Sequence, residues 1–276
     1  MTRIAFLGMG AMGRRMVKHL VEADGAHEVV VFNRTAARAE GLGAPVASSP
    51  ADAARDRDVV ISMVIDDAAA RALWLDPDRG ALGAMTEGAL AIEASTVTPT
   101  WIATLGAAAD DAGVRLLDAP VVGSTPQAEA AALCWLLGGD AETVAEADPV
   151  LARMGNKRLH VGPAGHGAAF KLVVNALFAT QVAALSELLA MATTQGLTPA
   201  VVAEHLATLP VTSPAAAGVL NLMVRGDHAP RFPIDLVHKD LTYAVDSGAG
   251  PLITEVAARF EAASRAGRGD DNLSAV

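Results

Sequence analysis

Positive charge, sulfur and aromatic side chains are all scarce in this 276-residue sequence. Lys and Arg number 21 against 31 Asp and Glu, a formal net charge of −10. So acidic a chain repels phosphate backbones and anionic headgroups, so neither nucleic acid nor a membrane is an expected partner. The single cysteine, Cys134, excludes any disulfide within the chain and suits a reducing cytoplasm. It lies in a strand-like apolar run and reads as a buried apolar residue. The seven histidines fall into no metal-ligand spacing, so no metal is expected. Asp66-Asp67, Asp110-Asp111 and Asp270-Asp271 read as solvated turns or helix caps. Ser186 and Ser213-Pro214 lack a base in the setting of a nucleophile elbow, which leaves hydrolysis without support. Neither a secretory nor a transit leader is expected, because strand character begins at once. With aromatics at 4% and alanine abundant, the cores should be close-packed aliphatic layers.

What is present begins with Arg3-Ile4-Ala5-Phe6-Leu7, a short buried strand, followed at once by Gly8-Met9-Gly10-Ala11-Met12-Gly13 and a helical stretch over residues 14–22. Placed between strand and helix, this glycine pattern is a dinucleotide-binding fingerprint, although it also suits plain helix packing without a ligand. Gly8 permits the tight turn, Gly10 lets a pyrophosphate approach the backbone, and Gly13 lets helix pack on strand. The helix N-terminus then offers N–H groups and a positive dipole end to that pyrophosphate. A second strand, residues 28–32, ends in Asn33-Arg34-Thr35. An acidic residue there would accept from the ribose hydroxyl of NAD, whereas Arg34 suits the extra phosphate of NADP. Thr35 is placed to cap a following helix and to donate to that phosphate. The expected cofactor is NADP(H).

Further strands read at residues 58–64, 89–94, 114–118, 133–137 and 158–161, with helices at 51–55, 99–112 and 141–154. Such alternation predicts an α/β fold: a Rossmann-type, doubly wound, mostly parallel sheet covered on both faces. After Gly162-Pro163-Ala164-Gly165 the strand signals stop. A helix over residues 166–195 and shorter ones from 198 onward predict an all-helical second domain. The boundary is therefore expected between residues 162 and 163, giving a dinucleotide-binding domain over 1–162 and a substrate and dimerisation domain over 163–276. The long helix is not a membrane span, because Asn175, Gln181, Ser186 and Glu187 interrupt it. A helix apolar on nearly all sides is otherwise buried in a core or against a partner, which predicts self-association as a homodimer or homotetramer.

Inside that helix a lone charge, Lys171, sits in the run Ala168-Ala169-Phe170-Lys171-Leu172-Val173-Val174, with Asn175 four residues on and on the same face. Apolar walls strip hydration from an ammonium and favour its neutral form. A lysine so tuned can hand a proton to a carbonyl oxygen or take one from a hydroxyl. The same pattern also suits a lysine snorkelling from a buried helix, and the segment alone does not separate the two.

Four motifs in order complete the pattern: Gly8 to Gly13; Asp118-Ala119-Pro120-Val121-Val122-Gly123-Ser124 with Ala128 and Glu129; Gly165-His166-Gly167-Ala168 through Lys171 to Asn175; and Lys239-Asp240-Leu241. With them, and with the tail Gly267-Arg268-Gly269-Asp270 to Val276, the whole chain resembles the β-hydroxyacid dehydrogenases. That group includes 3-hydroxyisobutyrate dehydrogenase and the glyoxylate/succinic semialdehyde reductases, built on a 6-phosphogluconate dehydrogenase-type NADP-binding domain. The resemblance implies that Lys171 is the general acid–base and that Asn175 positions the reacting oxygen. It places Ser95, Val122, Gly123 and Ser124 with Lys171 around a small-molecule substrate. Val64, Thr96 and Lys239 are placed along the cofactor, with Asp240 as a structural partner.

The chain departs from the family where Ser-Gly-Gly is usual and Val122-Gly123-Ser124 stands instead. Valine cannot donate to a substrate carboxylate, which leaves Ser124 to take over or implies a different substrate group there. The NADP-type turn and the Gly-Ser loop look closer to the semialdehyde reductases than to NAD-dependent hydroxyisobutyrate enzymes. The reading is an NADP(H)-dependent reductase interconverting a small carbonyl acid, semialdehyde or glyoxylate-like, and its hydroxy acid. Two alternatives stand beside it: an imine reductase, favoured by Val122 and opposed by Lys171, and a non-catalytic NADPH-binding assembly module.

Overall fold

The first strand, β1 (Thr2–Leu7), shows how the N-terminal layers form. Its side chains alternate between faces, and both faces are covered. Ile4 and Phe6 join a core with Met16, Val17 and Leu20 of helix α1 (Gly13–Val21). Ala5 and Leu7 face the opposite core, shared with Ala53 of α2 (Pro50–Ala54) and Trp74 of α3 (Asp67–Leu75). This computed structural model describes residues 1–23 and 25–276, which divide into two compact units, residues 1–171 and 172–276.

The first unit holds an eight-stranded sheet. Its parallel part runs β2 (His27–Phe32), β1, β3 (Val59–Ser62), β4 (Leu90–Glu93), β5 (Arg115–Asp118). β2 and β3 flank β1 on opposite sides, so the crossover direction reverses at β1, where doubly wound folds bind ligands beyond the strand ends. Helix α4 (Pro99–Asp111) covers one face. Beyond β5 come β6 (Val121–Val122), helix α5 (Thr125–Glu129), and β7 (Leu133–Gly138), which pairs antiparallel with β5 and β6. Helix α6 (Ala141–Leu151) leads to β8 (Gly155–Gly162), parallel to β7.

Helix α7 (His166–Thr194) follows, then α8 (Pro199–Leu206), α9 (Pro214–Arg225), α10 (Ile234–Asp246) and α11 (Pro251–Ala263). In the second unit, Leu172, Ala176 and Val182 of α7 pack with Val237, Leu241 and Phe260. The C-terminal tail joins this core through Leu273 and is fastened by Asn272, whose side chain accepts from the Phe232 N–H at 3.0 Å. By length and composition α7 is the one helix among the described residues apolar enough to cross a membrane. Its buried side packs into the second unit's core through Leu172, Ala176, Ala179 and Val182.

The fold is thus an N-terminal Rossmann-type α/β sheet followed by helices. Several local expectations need correction. Thr35 caps no full helix: a single 3-10 turn, Ala36–Arg38, follows, and the Thr35 side chain makes no cap bond. Gly41 and Gly43, both at positive φ, break helix propagation within two turns. Helices α3 and α5 and the two-residue β6 are additional to the expected elements; α5 and β6 are too short to show a period. Cys134, expected to be buried, is only partly so, and burial still raises its thiol pKa. Asp66 is a helix cap, its carboxylate accepting from the Ala69 N–H at 2.7 Å.

Candidate active site

The glycine loop is built by contacts that require it. Gly8 has φ +105°, and a Cβ there would strike the Met63 carbonyl oxygen; a Cβ at Gly13 would strike the Gly8 carbonyl oxygen. Both glycines are needed by the protein's own packing. Gly10 is not, because a Cβ there would meet nothing within 4 Å. Its smallness therefore leaves room beyond the chain, the room a pyrophosphate needs to reach backbone N–H groups. Met12, at the N-cap of α1, supplies no side-chain hydrogen bond to the first turn, which keeps that end open for an anion. The donor set and the space both fit a dinucleotide.

Around this loop the ends of four strands are tied together. Asn33 accepts from the Met9 N–H at 2.9 Å and donates to the Thr35 carbonyl at 2.9 Å. Asn33 thus fixes both the loop and the turn that presents Arg34, which is exposed. Val64 donates its N–H to the Ser95 hydroxyl at 2.8 Å, and its side chain lies 3.2 Å from the position a Gly8 Cβ would take. The structure therefore brings Gly8, Met9, Asn33, Val64 and Ser95 into one network, with Thr96 next in the chain. Behind it lies Glu93, which the sequence reading passed over. Its carboxylate, wholly buried, accepts from the Ser95 N–H at 2.9 Å and from the Trp74 indole at 2.9 Å. Burial pushes its pKa up, opposed by those hydrogen bonds. A lone carboxylate at the end of the apolar strand Leu-Ala-Ile-Glu was the signal that could have found it.

The loop after β5 forms a separate corner of the first unit. Val122 is half-buried on β6, paired with Cys134. A Cβ at Gly123 would stand 2.9 Å from Leu133 Cδ2. The Ser124 N–H donates to Gln127 Oε1 at 2.9 Å, part of the capping box that starts α5. Ser124 thus has a helix-capping role besides any contact with a substrate.

On α7, Lys171 is 8% exposed and Asn175, just over one turn further, is 6% exposed. In the second unit, Asn175 Nδ2 donates to Asp240 Oδ2 at 2.6 Å. Asp240 Oδ1 lies 2.9 Å from the Lys239 ammonium, which also stands 4.8 Å from the Tyr243 ring centre. The reading of Asp240 as a structural partner is thereby given a specific form: it orients Asn175 and holds Lys239.

Known proteins match both parts of the chain. Residues 3–162 match the NAD-binding domain of 6-phosphogluconate dehydrogenase, and residues 165–276 the NAD-binding domain of NADP-dependent 3-hydroxyisobutyrate dehydrogenase. The chain is 35% identical to an NAD-dependent L-serine dehydrogenase of Pseudomonas aeruginosa, over 90% of this chain and 85% of that protein. The chain belongs to the β-hydroxyacid dehydrogenase family. Another member, glyoxylate/succinic semialdehyde reductase 2 of Arabidopsis thaliana, is 30% identical over 99% of this chain and 78% of its own. Among solved structures, Mycobacterium tuberculosis 3-hydroxyisobutyrate dehydrogenase with L-serine superposes with a TM-score of 0.89 at 32% identity, covering 99% of this chain and 97% of that one. This β-hydroxyacid dehydrogenase is therefore an oxidoreductase that uses a nicotinamide cofactor.

Proposed function

We propose that this chain is an NADP(H)-dependent reductase of small carbonyl acids, semialdehyde or glyoxylate-like, working reversibly on the matching hydroxy acids with Lys171 as general acid–base. The observation that carries the reading is the pair of buried polar side chains, Lys171 and Asn175, set one turn apart on a single helix. Burying an ammonium is costly, and a buried lysine beside a buried amide is a candidate for proton transfer.

Hydride transfer is the chemistry that the bound nicotinamide supplies. Lys171 gives its proton to the carbonyl oxygen as that oxygen gains charge, and takes it back from the hydroxyl in the oxidative direction. Asn175, held by Asp240, fixes the oxygen within reach of that proton. Gly123 and Ser124 receive the substrate carboxylate, with Val122 limiting what else fits. Gly8 to Gly13, Asn33, Arg34, Thr35, Val64, Thr96 and Lys239 hold the cofactor, and Ser95 stands beside the substrate. Arg34 at the end of β2, with no carboxylate beside it, supports NADP over NAD.

The same reading keeps the domain boundary between residues 162 and 163, a homodimer or homotetramer, and a cytoplasmic setting. The carbonyl reading is preferred to the imine alternative, which by the family resemblance goes with loss of the lysine, and to the assembly module, which gives Lys171 and Asn175 no chemistry to do. Turnover with NADPH across a panel of aldehydo-acids and cyclic imines tests the reading. Reduction of an aldehydo-acid is expected; activity confined to imines would contradict it.

A further inference from the structure

The strand that leads into the substrate loop ends on a wholly buried carboxylate, Asp118. Asp118 Oδ1 accepts from the Gly165 N–H at 2.8 Å, and Oδ2 accepts from the Ala168 N–H at 2.7 Å. The donors are the residue just before α7 and the third residue of the helix. A helix normally has its orphan N–H groups met by a side chain just before it. Here the preceding residue is Gly165, which has none, and the cap arrives from a strand 47 residues earlier. The negative charge also faces the positive end of the helix.

Two further glycines make room for this contact. A Cβ at Gly138 would strike Asp118 Oδ1. A Cβ at Gly167 would lie 2.7 Å from Asp118 Oδ2 and 2.6 Å from the Leu136 carbonyl oxygen. Glycine at each position lets the carboxylate seat against the helix. Burial pushes the Asp118 carboxyl up to about 6, against the pull of the Gly165 and Ala168 N–H groups. Lys171 follows Ala168 by three residues, a rise of about 4.5 Å along the helix. A shift of the first turn is therefore carried directly to the lysine.

We propose that Asp118 is the positioning residue for the proton donor, fixing the first turn of α7 and with it the place of Lys171. In the other direction Asp118 continues through Ala119-Pro120 into Val121–Ser124, so one side chain ties the substrate loop to the acid–base. The inference rests on the assignment of Lys171 as acid–base.

The test compares the parent, Asp118→Asn, Lys171→Ala and the double variant. Each is measured for turnover per NADPH-binding site on an aldehydo-acid that the parent reduces, below its own melting temperature. Asn keeps the shape of Asp but turns an N–H₂ toward a backbone N–H. Asp118→Asn is expected to lower kcat by about ten- to a hundredfold, with NADPH affinity changed by no more than about twofold. In the Lys171→Ala background the same substitution is expected to cost almost nothing further, because its effect acts through the lysine.

A merely structural role would not produce that coupling. An equal loss in both backgrounds, or a parent-like kcat for Asp118→Asn beside a crippled Lys171→Ala, overturns the positioning role alone. Parent-like turnover by Lys171→Ala overturns the acid–base assignment and this inference together. Should Asp118→Asn not fold, Gly167→Ala, whose methyl presses on the same carboxylate, is expected to show the same split between kcat and NADPH affinity; a parent-like kcat there overturns the positioning role.

Discussion

Asn175 donates its side-chain amide to Asp240, and the second oxygen of that carboxylate meets Lys239. The pairing fixes which way the amide faces. With Nδ2 committed to a buried acceptor, the rest of the amide is held in one orientation rather than two. A positioning group for a reacting oxygen needs that property, since misplacement of about 1 Å can cost a hundredfold in rate. Sixty-five residues separate the partners, so the arrangement belongs to the folded helices α7 and α10 and to no local motif.

The glycine loop separates packing from ligand binding. Gly10→Ala should fold with a melting temperature within a few degrees of the parent, because its Cβ meets nothing. It should weaken NADPH binding by about tenfold or more, since the methyl enters the space left for the pyrophosphate. Gly8→Ala should instead fail to fold or lose several kcal/mol, of the order reported for strained or overpacked sites. Thermal melts and cofactor titration of both variants check the contrast.

Arg34 is the residue proposed to set the cofactor preference. The parent should use NADPH more efficiently than NADH. Arg34→Ala should weaken NADPH by about 1–3 kcal/mol, the range of a charge-assisted contact, and leave NADH nearly unchanged. Steady-state kinetics with both cofactors check it; equal efficiency in the parent would remove the argument.

Much of this was legible in the sequence, for physical reasons that differ by element. Strands β1 to β5 stood out because buried parallel strands are continuous apolar runs, and α7 because nothing polar interrupts it for long. The glycine loop was readable because its glycines are demanded by backbone approach, a local constraint. Helix α5 and strand β6, five and two residues long, are too short to show a period, and α3, nine residues long, holds four alanines, which suit helix and core alike. Glu93 and Asp118 were visible as acids in apolar strands, but their partners, Trp74 and the start of α7, are brought near only by folding. The truncated turn after β2 was hidden because Thr35 looked like a cap, and Gly41 and Gly43 decide otherwise.

One face of α7 predicts self-association. Val173, Leu177, Leu188 and Met191 are 60%, 61%, 46% and 57% exposed. At about 100° per residue they fall within one narrow stripe of the helix. Sedimentation at micromolar concentration should show a homodimer or homotetramer, and Leu188→Glu with Met191→Glu should shift it toward monomer. A parent that sediments as a stable monomer would contradict this.

The central claim is that Lys171 moves the proton. Single-substitution kinetics of Lys171→Ala on an aldehydo-acid that the parent reduces tests it most directly. Turnover should fall by about 10²–10⁴, the usual loss for a positioned acid–base. NADPH affinity should stay near the parent value, since the phosphate contacts are assigned to Gly8–Gly13 and Arg34. Asn175→Ala should lose rate as well, though less, because it orients the oxygen without carrying its proton. A Lys171→Ala protein that binds NADPH and keeps near-parent turnover would contradict the account.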